Sequence, residues 1–87
     1  MLHEFFATIP LQSGALRVRY FVTSPVLAEE LPHPCYGIGI SDGNTTYIAP
    51  TFCPKEDEAV RMAKLLCRHQ VTPVTFWDVL EDYLAAL

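Results

Sequence analysis

Eighty-seven residues hold one small domain with a single core. Apolar residues make up 51% and charged residues 18%, with a net charge of −4. That balance excludes the clustered Lys and Arg of a nucleic-acid or anionic-membrane surface. No apolar run approaches a bilayer span, and a domain this small leaves some of its apolar surface for a partner or a second copy.

Residues 2–11 alternate, with His3, Phe5, Ala7, Ile9 and Leu11 on one side and Leu2, Glu4, Phe6 and Thr8 on the other. This predicts a strand ending near Pro10. Gln12-Ser13-Gly14 is a turn. Residues 15–23 form the clearest strand, with Leu16, Val18, Tyr20 and Val22 inward and Arg17, Arg19, Phe21 and Thr23 outward. The two strands pair as an antiparallel hairpin. Ser24-Pro25 caps a very short helix over 26–31, stopped by Pro32, or else the stretch is an irregular loop. Residues 35–41 are a third strand, with Tyr36, Ile38 and Ile40 on one face and Cys35, Gly37 and Gly39 on the other. Asp42-Gly43 marks a hairpin. A two-residue loop there pairs Ile38 with Tyr47. A three-residue loop pairs Tyr36 with Ile48 and is preferred, because it sets Ile48 on the Ile38 face. The fourth strand runs over 45–49 and ends at Pro50.

Cys53-Pro54 opens the first long helix, which ends at Gln70. Glu56, Asp57 and Glu58 at its start and Arg68 and His69 at its end suit the helix dipole. Ala59, Met62, Ala63 and Leu66 are its core stripe, with Val60 and Cys67 beside it. Thr72 caps the final helix, with Pro73 at its first position. Phe76, Val79, Leu80, Tyr83, Leu84 and Leu87 form its apolar face, and Trp77 lies at the edge of that stripe. The fold class is α+β: a four-stranded antiparallel sheet of two hairpins, with two C-terminal helices packed on one face.

The chain resembles a family of short uncharacterised proteins of anaerobic Firmicutes, known as a domain of unknown function. The resemblance rests on Tyr36-Gly37-Ile38 and on Val71-Thr72-Pro73-Val74 followed by Asp78-Val79-Leu80-Glu81-Asp82-Tyr83-Leu84. Members end in a run like V-S-P-x-H-x-x-D-V-x-E-D-F-L. Here Thr75 or Phe76 stands where that histidine falls, so no site is carried over. The resemblance implies a fold and a bacterial source, and no activity.

Three cysteines, Cys35, Cys53 and Cys67, and an N-terminus with no basic cluster suggest free thiols in a reducing cytosol, with no disulfide needed for folding. His3, His33, His69 and the cysteines do not fall in paired metal-ligand spacing, and no metal or other cofactor is expected. Cys67 with His69, or Cys35 with His33, is a conceivable nucleophile pair. Cys53 gains from a helix N-terminus but is followed by three acids, which raise a thiol's pKa. Asp78, Glu81 and Asp82 suit a solvated helix face better than a cation or acid–base site; one of them is also a candidate to meet Arg17 or Arg19 across the fold, or to bind a basic patch on a partner. Arg17, Arg19 and Phe21 are too few for a nucleic-acid stacking platform on an acidic chain.

The reading is a small non-enzymatic protein-interaction or regulatory module. It self-associates as a homodimer or binds a protein partner, and takes neither nucleic acid nor membrane. The rivals are a Cys/His metal protein or enzyme, and a small-molecule binder using the glycine-lined strand face. The expected interface is Phe6, Arg17, Arg19 and Phe21 on the sheet's outer face, together with Trp77. Phe6 and Phe21 are expected as exposed rings, unless residues 24–34 fold over them.

Overall fold

Alternation in the first half of the chain and helical periodicity in the second half place every regular element. The computed structural model describes residues 3–26 and 33–85. Strands β1 (His3–Leu11), β2 (Gly14–Val22), β3 (Tyr36–Ser41) and β4 (Thr46–Cys53) are followed by helices α1 (Glu56–Arg68) and α2 (Phe76–Ala85). The strands lie in the order β1-β2-β3-β4, each antiparallel to the next. This is the α+β architecture expected from the sequence.

The inward residues of β2 and β3 are sealed: Val18, Tyr20, Val22, Ile38 and Ile40 are fully buried. They pack against Ala59, Met62, Ala63 and Leu66 of α1 and Phe76 and Leu80 of α2. Burying each large side chain of this kind contributes about 1.5–3 kcal/mol, so this single face supplies most of the folding drive. Phe5, Ala7 and Ile9 of β1 extend the same core from its edge.

Tyr20 fastens the link between the helices to the middle of the sheet. Its buried hydroxyl donates to the Val71 carbonyl at 2.6 Å. That carbonyl is held in place by the way α1 ends. Gln70 takes a left-handed backbone (φ 52°), the Val71 N–H donates to the Leu66 carbonyl, and the Gln70 N–H donates to the Cys67 carbonyl. This is the Schellman pattern, here with glutamine where glycine is usual.

Several expectations are corrected. The helix over 26–31 fails at its first residue, because Val26 and Cys35 exchange both backbone hydrogen bonds at 2.9 and 3.0 Å. The rest of that stretch lies outside the described residues, as do Leu2 and Leu87. Neither hairpin register proposed for β3–β4 forms. Ser41 pairs with Thr46, Ile40 with Tyr47 and Gly39 with Ile48, so Ile48 faces away from the helices. The cause is the loop: Asp42 Oδ1 accepts from the Asn44 and Thr45 amides at 2.9 and 2.8 Å. That side-chain turn closes a longer connection than Asp-Gly alone implies. Pro50 does not end β4 either. Between Tyr36 (paired with Cys53) and Ile38 (paired with Ala49) the ladder shifts register, and Pro50 sits in that irregularity. An edge strand tolerates a proline there because no partner needs its missing N–H.

Helix α1 begins at Glu56 rather than at Pro54, since β4 claims the chain as far as Cys53. The final helix opens with a 3₁₀ turn, Pro73–Thr75, in which the Thr72 backbone carbonyl accepts from the Thr75 N–H; the Thr72 side chain makes no capping bond. Among the described residues no helix is long and apolar enough to cross a membrane.

Candidate functional site

The two helices cover one face of the sheet and leave the other to Glu4, Phe6, Thr8, Arg17, Arg19, Phe21, Gly39, Ser41, Thr46 and Ile48, as the pairing register dictates. On this open face each arginine lies over a ring. The Arg17 guanidinium is 4.6 Å from the centre of the Phe6 ring, and that of Arg19 is 4.6 Å from the centre of the Phe21 ring. Arg19 also donates to Glu4 Oε1 at 2.9 Å. Both contacts reaching β1 are diagonal: Arg17 stands opposite Thr8 and Arg19 opposite Phe6, and each leans two residues along β1 to its partner. Beside them a shallow depression is lined by Phe6, Arg17, Arg19, Ser41, Asp42 and Gly43. The Asp42 carboxyl is held below the usual carboxylate range by the Thr45 and Asn44 amides, so it is charged at neutral pH. The face thus carries fixed charges of both signs around the half-exposed ring of Phe6.

Phe6 is open as expected, with 48% of its surface exposed. Phe21 is not: it is 3% exposed. It stands opposite Gly39, and its ring lies across the space where a Cβ at that position would be. The ring covers the bare backbone of the glycine, and Arg19 covers the ring. Gly37 is filled in a related way: a Cβ there would meet the Thr23 hydroxyl and, at 2.9 and 3.0 Å, the Ala49 and Pro50 carbonyls of the β4 irregularity. The glycine-lined strand is therefore packed backbone, and a small molecule finds no open floor on it.

Trp77, the remaining interface candidate, lies on the other side of the molecule. Its ring meets Phe76 edge-on at 5.0 Å and Tyr47 of β4 at 6.0 Å, and it remains 44% exposed. The structure does not bring it together with Phe6 and the arginines. Asp78, Glu81 and Asp82 are exposed on α2, on the helix side of the sheet, and Arg19 pairs with Glu4 on the open face.

The cysteines and histidines do not converge. Among the described residues no group of three or more His, Cys, Asp or Glu is placed to hold a metal ion. All three thiols are free. Cys53 donates to the Lys55 carbonyl at 3.1 Å, and burial, with lesser contributions from Glu58 and Asp57, pushes its pKa up. That is the opposite of what a nucleophile needs. Cys67 donates to the Phe6 carbonyl at 3.3 Å, which ties α1 to β1. His3 Nε2 lies 3.6 Å from Glu56 Oε1.

One feature escaped the sequence reading: an apolar cleft between β4 and α2, bounded by Ala49, Phe52, Trp77, Leu80 and Leu84. Ending β4 at Pro50 hid it, because Phe52 then fell outside the sheet. Comparison with curated proteins and with solved structures returns no match. The model of DUF6514, a family of unknown function, matches residues 9–86, and the chain belongs to that family.

Proposed function

We propose that the protein is a small non-enzymatic interaction module that self-associates through the open face of its sheet. The observation that carries this reading is the Phe6–Arg17 stack beside the Glu4–Arg19 pair. A two-fold contact places a patch against itself, so the patch must complement itself. Glu4 and Asp42 beside Arg17 and Arg19 meet that need, and aromatic and arginine side chains are what interface centres favour. Phe21 supports this face from beneath, as the platform for Arg19. The resemblance of its C-terminal run supports a Firmicutes-type bacterial source, and its three free thiols fit a reducing cytosol.

Sedimentation equilibrium at micromolar concentrations tests the reading. The expected result is a dimer of twice the 9.8 kDa chain mass, weakened at least tenfold by Phe6→Glu or Arg17→Glu with the fold retained. A strict monomer, or a dimer indifferent to both substitutions, overturns it.

A further inference from the structure

β4 is an edge strand, and α2 runs beside it. The cleft between them has a volume of about 250 Å³, with room for one or two large apolar side chains. Its floor is Leu80, buried to 3%, and its walls include Trp77 and Leu84, which are 44% and 50% exposed. Apolar walls held half open over a packed floor are the form of an anchor pocket rather than of a solvated surface.

Among the described residues that line the cleft, the charged one is an acid, Glu81. From Val71 to Ala85 the chain carries Asp78, Glu81 and Asp82 and no Lys, Arg or His, and β4 carries no charged residue. Glu81 lines the cleft, and Asp78, one turn before it, is exposed on α2. A second copy placed here about a two-fold axis would set these acids against their own equivalents. The open face of the sheet is self-complementary, whereas this cleft is not.

We propose that the cleft receives an extended segment of a different protein, laid along the β4 edge. A large apolar side chain of that segment seats between Trp77 and Leu84, and Lys or Arg next to it meets Glu81 and Asp78. Edge strands take up extended peptides through their unpaired backbone, and pockets for alternate side chains set the specificity. Pro50 removes one N–H from this edge, so the seated side chain carries more of the affinity than strand pairing does. This site lies on the helix side of the molecule, so it stands independently of self-association through Phe6 and Arg17.

The test is selection of random nine-residue peptides, displayed on phage, against the intact chain. Synthetic copies of the enriched sequences, made without tryptophan, are then titrated. Trp77 is the protein's single tryptophan, so a change in its emission reports filling of the cleft. The expected outcome is enrichment of an aromatic or leucine residue flanked by Lys or Arg, with binding that weakens as salt is raised. Leu84→Glu, at an exposed position, weakens binding at least tenfold while leaving the circular dichroism spectrum intact. The pair Asp78→Lys and Glu81→Lys weakens it as well, and Phe6→Glu leaves it unchanged. No enrichment, enrichment of acidic peptides, binding indifferent to Leu84→Glu, or a dimer that Leu84→Glu dissolves would each overturn the proposal.

Discussion

A methyl group at position 39 would run into the ring of Phe21. Gly39→Ala therefore forces the ring off the strand and lifts Arg19 with it, at an expected cost of about 1–3 kcal/mol. Chemical denaturation measures this, and a double-mutant cycle isolates its cause: in a Phe21→Ala background the same substitution costs clearly less. Alternation along β2 put Phe21 on the correct face but not in the correct environment. Alternation gives the side of a sheet a residue occupies and says nothing of what lies opposite. The neighbour here comes from the β2–β3 register, and the long connection between those strands leaves that register unwritten in the local sequence. Phe6 faces Arg19 across a tight hairpin, and both its side and its exposure were legible from the chain.

At the level of elements, the strands and helices that follow a strict period were readable almost residue by residue. Ala59, Met62, Ala63 and Leu66 are the buried stripe of α1, as their spacing requires. Reading failed where a local rule met an edge. Pro50 reads as a strand end because a central strand would not tolerate it, yet β4 is not central. Asp42-Gly43 reads as a two- or three-residue turn until the Asp42 carboxylate is seen closing a wider one. The Tyr20–Val71 bond joins elements 51 residues apart, and no local pattern announces it. Tyr20→Phe strands the buried Val71 carbonyl and should cost about 1–3 kcal/mol. The same phenol has a pH signature. Burial, with a smaller contribution from Cys67, pushes its pKa up from 10.0 to about 12. Below pH 10 it is protonated in both states and the bond is intact. Between pH 10 and about 12 the unfolded chain ionises while the folded phenol holds its proton, so stability falls with rising pH. Melting temperatures of wild type and Tyr20→Phe across that window check this: the wild type should decline more steeply.

For the molecule as a whole, one buried face carries the stability, and the cleft between β4 and α2 borders it. Leu80 belongs to both, closing the core beneath α2 and flooring the cleft. Leu80→Asp buries an unpaired carboxylate, a cost of several kcal/mol against a total of roughly 5–10 for a domain of this size. The expected result is loss of the cooperative thermal transition, followed by circular dichroism.

The order of elements along the chain has a consequence for synthesis. All four strands leave the ribosome before either helix does. Until Met62 and Leu66 emerge, and then Phe76 and Leu80, the greasy side of the nascent sheet has nothing of its own to rest on. Hairpins form within microseconds, whereas translation adds about 5–20 residues per second. The growing polypeptide therefore presents a sticky, half-finished surface for seconds.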